Sequence, residues 1–277
     1  MAAPVEWSDP GRIRTLLFDY GQTLVTFTRP GDHLLRAHEE VANRLREAGV
    51  GPVPPAAVLL AEVHDRVEAV VSRHQASGRR REIDAMAEEG RAYAALGLRL
   101  SDQLLDEVSA LVQEAWWEGV AVPPATLWTL EELHRRHLRL GLCSNAPYRA
   151  DSLRGQLAHL GLTGLFESVT FSGEVGWRKP AAQIFAAALG ALGAEAGSTA
   201  MVGDRRREDV AGARAMGMAT VRVREHADDH GPDDADAVVD RVSDLIELLF
   251  PPQEDDGRGS VVGDDTSRRS PTSWQEH

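Results

Sequence analysis

The fold is decided by one stretch of the chain, TLLFDYGQTL, which runs from Thr15 to Leu24. Its short apolar run, residues 16–18, predicts a β-strand that is buried on both faces. The strand ends at Asp19, whose carboxylate would lose hydration there and would need hydrogen-bond donors or a cation beside it. Taken alone, the stretch also fits a simple turn in which Asp19 and Gly21 only reverse the chain.

Composition limits the classes of partner. The chain has 277 residues and a formal net charge of −13, which disfavours nucleic acid and anionic membrane surfaces and favours small-molecule chemistry. Its single cysteine, Cys143, allows no internal disulfide and is typical of a reducing compartment. The first residues lack the pattern of a signal peptide, and no run of about 18 apolar residues occurs. We therefore expect a cytoplasmic protein without a membrane segment, acting as a monomer or homodimer.

Residues 29–120 follow a helical pattern and contain no segment that predicts a strand. Asp32 is placed to cap a first helix, and Ser101 to cap a fourth. Apolar spacing and turn signals predict two helices between them, over residues 56–74 and 83–96. We interpret this block as a helical cap inserted after the first strand.

From residue 123 the pattern alternates between helix and strand, which is typical of a parallel, doubly wound α/β sheet. We predict a Rossmann-like core formed by residues 13–28 and 121–250. The polar tail, residues 251–277, has the composition of a disordered segment. The predicted strands are 138–143, 168–171, 199–202, 219–223 and 237–239; the predicted helices are 125–136, 150–160, 180–192, 209–216 and 243–250.

Polar residues follow the predicted strands at their carboxyl ends, which is where such sheets bind ligands. Asp19 follows the first strand, Ser144 and Asn145 the second, and Asp204 the strand that begins at residue 199, with Asp209 five residues further on. Each has a simpler explanation as a turn residue or helix cap. Because they all fall at one sheet edge, a common site is the better interpretation.

Lys179 belongs to the same set. It is the one lysine among 30 lysine and arginine residues, and it stands just before Pro180, a residue that begins helices well. It could be a solvated loop charge. Alternatively, this position needs a compact ammonium group that arginine could not replace, and we favour this interpretation.

Together these residues predict a site for phosphoryl transfer. The carboxylate of Asp19 can act as a nucleophile that forms an acyl phosphate, which water then hydrolyses. Mg²⁺ bound by Asp19, Asp204 and Asp209 would reduce the repulsion between this nucleophile and an anionic phosphate. Lys179 and the hydroxyl of Ser144 would contact the transferring oxygens.

The chain resembles the haloacid dehalogenase superfamily of hydrolases, and in particular the members with a helical cap after the first strand. Four motifs occur in the family's order between about residues 13 and 250: FDYGQTL at 18–24, LCSNA at 142–146, GWRKP at 176–180, and GDRRREDVAGARAMGM at 203–218. The resemblance implies Asp19 as nucleophile and Lys179 beside it. It implies Ser144 with Asn145 at the phosphate, and Asp204, Asp209 and the carbonyl of Gly21 near Mg²⁺.

The chain departs from the family at Gly21. Phosphatases of the family carry an aspartate two residues after the nucleophile, which serves as general acid and base. Losing a positioned acid costs about 10² to 10⁴ in rate, mostly for leaving groups that must be protonated. The next residue, Gln22, stands where glycine is commonest, and it is either a plain substitution or a residue that orients the attacking water.

Three functions remain open at this point. The first is a Mg²⁺-dependent phosphatase that acts on a small phosphorylated metabolite. The second is a relative that cleaves another bond, such as carbon–halogen or carbon–phosphorus. The third is a weak or inactive member that binds or regulates. Substrate choice would lie in the cap, where the candidates, each more simply a solvated or packing residue, are His33, Arg36, His38, Arg79–Arg81 and Trp116–Trp117.

Overall fold

The structure is a computed structural model that describes residue 7 and residues 12–226 and 234–252. The predicted disordered tail therefore lies outside the described residues, apart from its first two prolines. Among the helices of the described part, none has the length and apolar character needed to cross a membrane.

Six parallel strands form the central sheet, in the order β5-β4-β1-β6-β7-β8, and this confirms the predicted doubly wound α/β fold. The first strand, β1, is central, with Phe18 level with Leu142 of β4 and Val202 of β6. The eight strands are β1 (Thr15–Phe18), β2 (Thr26–Phe27), β3 (Val120–Ala121), β4 (Arg139–Ser144), β5 (Ser168–Phe171), β6 (Thr199–Gly203), β7 (Ala219–Val223) and β8 (Ala237–Val239).

β1 is buried on both faces, as its apolar run predicts. Leu16 and Phe18 belong to one hydrophobic cluster, whereas Leu17, between them, belongs to another. Successive side chains of a strand point to opposite faces, so the two clusters cover the two sides of the sheet. Asp19, which follows β1, is thus held by a strand that is buried along its whole length.

The segment between β2 and β3 is helical and has a hydrophobic cluster of its own, built around residues such as Val41, Leu59 and Val108. On this separation we propose that residues 29–120 form a cap beside a core of 13–28 and 121–250. Its helices are α1 (Gly31–Glu47), α2 (Ala56–Leu59), α3 (Arg66–Ala76), α4 (Ala85–Ala95) and α5 (Asp102–Ala115), with a π-helical turn (Leu60–Asp65) between α2 and α3.

The two predicted helix caps have different outcomes. Ser101 caps α5 as predicted, because its side chain accepts a hydrogen bond from the backbone N–H of Leu104 at 3.2 Å. The prediction for Asp32 was wrong: α1 begins one residue earlier, Pro30 is its N-cap, and no side chain caps it. Asp32 lies in the first turn, where an acid still interacts favourably with the helix dipole.

A short antiparallel pair joins the two connections between cap and core, and the sequence did not predict it. β2 pairs with β3, Phe27 opposite Val120, and the N–H of Thr28 donates to the carbonyl of Gly119 at 2.7 Å. A Cβ on Gly119 would stand 2.2 Å from the carbonyl oxygen of Thr28, so only glycine permits this approach. The two chain segments that run between the cap and the core are therefore held together at one place.

The core helices follow the predicted alternation with shifts at their ends. The helix expected from Pro180 begins at Ala182, and the one expected over 209–216 is a π-helical turn (Arg206–Ala211) followed by one α-turn. A one-turn helix after β5 was not predicted. The core helices are α6 (Pro124–Arg135), α7 (Ala150–His159), α8 (Ser172–Val175), α9 (Ala182–Leu192), α10 (Gly212–Ala215) and α11 (Leu245–Leu249).

Candidate active site

The carboxyl ends of three neighbouring strands bring the predicted residues together. Asp19 follows β1, Ser144 is the last residue of β4, and Asp204 follows β6. All three are buried, with 5–8% of each residue exposed, and all three line one cavity or adjoin it. The order β4-β1-β6 places Asp19 between the other two.

Lys179 is the cation of this cluster. Its Nζ donates to Oδ1 of Asp19 at 2.7 Å and to Oδ1 of Asp209 at 2.6 Å, and its side chain is 2% exposed. Burial acts to lower the pKa of Lys179, but the charges of Asp19 and Asp209 outweigh it and the net pKa is raised. Lys179 is thus a permanently charged partner of two carboxylates and not a solvated loop residue. The peptide bond to Pro180 is cis.

Asn145 holds the backbone of Lys179. Its Oδ1 accepts from the N–H of Lys179 at 2.7 Å, and its Nδ2 donates to the carbonyl of Lys179 at 3.2 Å. The side chain predicted to bind phosphate is therefore engaged in positioning the lysine. Neither Asn145 nor Ser144 caps α7, whose N-cap is Arg149, so the helix-cap explanation of these two residues is excluded.

The two acids of the last motif are fixed by groups that the sequence did not single out. Oδ1 of Asp204 accepts from the hydroxyl of Thr23 at 3.3 Å. The backbone carbonyl of Asp204 accepts from Nε of Arg222 at 3.3 Å. Oδ2 of Asp209 accepts from the backbone N–H of Arg205 at 3.0 Å. Thr23 and Arg222 are far from residue 204 along the chain, and only the strand order makes them neighbours.

The acid cluster has the chemistry of a site for a hard divalent cation. Oxygens of Asp19, Asp204 and Asp209 lie within 4.8 Å of one another, all buried. Burial, with the negative charge of the neighbouring acids, raises the pKa of Asp204, and burial likewise raises that of Asp209 despite its contact with Lys179. Three buried carboxylates, two of which contact one lysine, fit Mg²⁺, which prefers carboxylate oxygens.

The backbone at positions 21 and 22 explains part of the departure from the family's motif. A Cβ on Gly21 would stand 2.9 Å from Cε2 of Phe27, so the ring occupies space that a side chain there needs. Gln22 has φ = 63°, a left-handed conformation that glycine adopts at least cost, and its N–H donates to the carbonyl of Val25 at 2.8 Å. The family's preference for glycine at this place thus has a backbone cause.

A cavity of about 360 Å³ extends from Asp19 towards the cap. Core residues Ser144, Lys179 and Arg205 line one part of it, and residues from α1, α3, α4 and α5 line another. The hydroxyl of Tyr20, in the same wall, donates to Oε1 of Gln156 at 2.9 Å. The cavity therefore joins the acid cluster to a chamber built by the cap helices.

The predicted specificity residues divide into two groups. His38, Trp116 and Trp117 line the cavity, whereas His33 and Arg36 are not among its lining residues. Sequence analysis did not identify the other polar cap residues that line it: His64, Glu68, Gln75, Glu89, Ser109 and Gln113. Helical spacing assigns such residues to a face of a helix, but not to the partner that this face meets.

The arginine run 79–81 is exposed, as a solvated segment would be, but two of its residues also contact the core. The carbonyl of Arg80 accepts from the N–H of Arg178 at 2.9 Å, and the guanidinium of Arg81 lies 4.8 Å from the ring centroid of Trp177. Beside them, the carboxylate of Glu82 accepts from the hydroxyl of Ser172 at 2.5 Å. Through these contacts, the loop formed by residues 79–82 connects the cap to the core next to Lys179.

Comparison with known proteins gives partial matches to phosphatases. The chain is 42% identical over 124 residues to a phosphoserine phosphatase of Thermus thermophilus, covering 44% of this chain and 47% of the relative. It is 34% identical over 134 residues to a glyceraldehyde 3-phosphate phosphatase of Methanothermobacter thermautotrophicus, covering 46% and 58%. The chain thus spans about half the length of the curated relatives it matches.

Solved structures share the fold over most of the chain. An HAD phosphatase of Thermococcus onnurineus superposes with a TM-score of 0.54 at 24% identity, covering 86% of this chain and 98% of the other. A 2-haloacid dehalogenase of Pseudomonas syringae superposes with a TM-score of 0.62 at 22% identity, with the same coverage. At this identity the likeness concerns the fold alone. The model of the haloacid dehalogenase-like hydrolase family matches residues 13–217, and the chain belongs to that family.

Proposed function

We propose that this protein is a Mg²⁺-dependent phosphatase that hydrolyses a small phosphorylated metabolite through an acyl phosphate on Asp19. The observation that carries the proposal is the buried contact of one lysine with two of three clustered carboxylates at the mouth of a cavity. The partial matches to relatives named as phosphatases also support it.

The first step is attack by the free carboxylate oxygen of Asp19 on phosphorus. Oδ1 of Asp19 is held by Lys179, and the backbone N–H of Asp19 donates to the carbonyl of Val202 at 2.9 Å. Both the carboxylate and the backbone of Asp19 are therefore held in place. As the P–O bond to the leaving group breaks, a bond from Asp19 to phosphorus forms. Lys179 and the hydroxyl of Ser144 would donate to the phosphoryl oxygens.

Asp19, Asp204 and Asp209, with the carbonyl of Gly21, would hold Mg²⁺. When bound, the ion supplies positive charge that offsets the repulsion between the acids and the phosphate. The lysine contributes one charge to the same balance. Its contact with Asp209 also keeps that carboxylate at the site.

The second step is attack of water on phosphorus, which returns the carboxylate of Asp19 and releases phosphate. Gly21 offers no side chain to take the proton of this water or to protonate the leaving group in the first step. We therefore expect aryl phosphates, whose leaving groups need little protonation, to transfer their phosphoryl group to Asp19 faster than alkyl phosphates, and hydrolysis of the acyl phosphate to be slow with both.

The test is a panel of aryl phosphates and phosphorylated metabolites, assayed with Mg²⁺ on the wild type and on Asp19→Asn. We expect hydrolysis by the wild type, with faster phosphoryl transfer from aryl than from alkyl esters, and none by the variant. Equal rates of phosphoryl transfer to Asp19 from both classes would show that the missing acid at position 21 does not limit the first step. Inactivity of the wild type on every ester would instead favour a binding or regulatory protein, the function that the missing side chain at position 21 also fits.

A further inference from the structure

The charged residues that line the cavity differ between its core part and its cap part. The cap contributes two charged residues to the described lining, Glu68 of α3 and Glu89 of α4, and both are acids. All the lining cations come from the core. The core's charged lining residues are Asp19, Arg178, Lys179, Arg205 and Glu208.

Both cap acids accept hydrogen bonds from hydroxyl groups. Both oxygens of Glu68 accept from the hydroxyl of Tyr148, at 2.9 and 3.0 Å, and Oε2 of Glu89 accepts from the hydroxyl of Ser109. Neither carboxylate makes an ion pair with any residue that the structure describes. Arg29 acts on Glu68 and Arg149 acts on Glu89 from beyond ion-pair distance, and each arginine is itself paired with an aspartate. The two half-buried carboxylates line the cavity and therefore have acceptor capacity left for a cation.

A buried histidine beside them offers a further acceptor. His38 is fully buried, and its Nδ1 lies 2.7 Å from the carbonyl of Leu34, which requires the proton on Nδ1. Its Nε2 is then a lone-pair acceptor in the neutral ring, and it has no hydrogen-bond partner. Burial lowers the pKa of His38 and so favours this neutral form. His64, 5.9 Å away between ring centroids, lines the same cavity and also has an unpartnered Nε2.

We propose that the cap part of the cavity binds a protonated amine on the leaving group of the substrate, through Glu68, Glu89 and Nε2 of His38. This inference rests on the proposed function, which places the phosphate of the same substrate at Lys179. An ammonium brings three donors and one positive charge to acceptors that have hydroxyl donors but no ion pair among the described residues. The ring of Trp116, which also lines the cavity, adds a face that attracts cations.

The acceptors favour an amine over a neutral polyol because of charge. A hydroxyl could donate to the same atoms, but it would leave two half-buried carboxylates without an ion pair. An ammonium offsets the charge of the two carboxylates. It would also oppose the effect of burial, which raises the pKa of Glu89 to about 7. The substrate class is therefore a phosphate ester of an amino alcohol, negative at the core end and positive at the cap end.

Binding of non-hydrolysable analogues tests this separately from turnover. The Mg²⁺-loaded protein is titrated calorimetrically with ω-aminoalkylphosphonates of three to six carbons, each matched with an alkylphosphonate in which a methyl group replaces the ammonium. The titration is run at about pH 8, which is above the pKa of about 7 of Glu89 and leaves the amines protonated. We expect at least one amine to bind about tenfold or more tightly than its match, as a charged hydrogen bond provides. Equal or weaker binding across the series overturns the proposal.

Variants assign the preference to the cap acids. Glu68→Gln and Glu89→Gln should each remove most of the amine preference while binding of the alkylphosphonate stays unchanged, which also shows that the variant is folded. Glu88→Gln is the matched control, since Glu88 is the neighbour of Glu89 on α4 but pairs with Arg91 outside the cavity. Retention of the full preference in both cap variants refutes the site. A wild type that hydrolyses no ester but keeps the amine preference would refute the phosphatase proposal, and the amine site would then belong to a binding protein.

Discussion

The ring of Phe27 occupies the space beside Gly21: a Cβ built on Gly21 lies 2.9 Å from Cε2 of Phe27. The ring packs edge-on against Tyr20, with centroids 6.2 Å apart, and it is 43% exposed. The backbone of Gly21 does not have a positive φ, so a side chain at this position would meet the ring of Phe27 and not a backbone restriction. The absence of an acid at position 21 and the position of the Phe27 ring therefore belong to the same local arrangement.

Restoring the acid should therefore require moving the ring. We expect Gly21→Asp combined with Phe27→Ala to raise kcat on alkyl phosphates by about 10², the lower end of what a positioned acid contributes, and Gly21→Asp alone to gain less. Steady-state kinetics on an alkyl and an aryl ester measure this. Gly21→Asn with Phe27→Ala is the control: an equal gain in this variant would exclude proton transfer as the cause.

Gln22 should be replaceable by glycine without loss of stability. At φ = 63° a side chain is strained, and removing it relieves up to about 1 kcal/mol, partly offset by the greater entropy of unfolded glycine. Chemical denaturation of Gln22→Gly should show an equal or higher free energy of unfolding. A large decrease would show that the glutamine side chain holds the loop, and a loss of turnover at unchanged stability would support its role in orienting water.

Glu82 should matter more for stability than its exposed counterpart on α4. Its side chain is 2% exposed, accepts from Ser172 and lies 3.8 Å from the buried guanidinium of Arg178. Glu82→Ala leaves that cation without its partner, so we expect a loss of about 3 kcal/mol in the free energy of unfolding. Glu88→Ala removes an exposed ion pair and should cost less than about 1 kcal/mol. Similar losses in the two variants would contradict a buried cap contact.

Metal binding should stabilise the protein as well as activate it. Mg²⁺ at about 100 times its Kd would add about 2.7 kcal/mol to the free energy of unfolding by mass action. We expect the rise in the wild type, reversed by a chelator, and most of it absent in Asp204→Asn. Asp32→Asn, which removes an exposed acid of α1, should keep the full rise. A rise of the same size in Asp204→Asn would place the ion elsewhere.

The sequence was a good guide to the strands and to the residues at their ends. Apolar runs are local, so the strands at 168–171, 219–223 and 237–239 have the predicted bounds, and parallel pairing then gathers Asp19, Ser144 and Asp204. Contacts set by packing were missed. Helical spacing could not show that Glu68 and Glu89 face one cavity, nor that a π-helical turn carries Asp209.

Asn145 is a second case in which the sequence could not predict a contact that is set by packing. The motif identified the residue, but its role in holding the backbone of Lys179 depends on a loop 34 positions away. The two-residue pair of β2 with β3 is too short to give a periodic signal, and neither strand was predicted.

The central claim is that Asp19 becomes phosphorylated during turnover, and trapping that species tests it most directly. Without a base at Gly21, attack of water on the acyl phosphate should be slow, so the intermediate should accumulate with an aryl phosphate. We predict that acid quenching of the wild type with Mg²⁺, followed by peptide mass spectrometry, finds one hydroxylamine-sensitive phosphoryl group on the peptide that contains Asp19, and none in Asp19→Asn. Turnover of the ester by Asp19→Asn at the wild-type rate, or a phosphoryl group on another residue, would contradict the account.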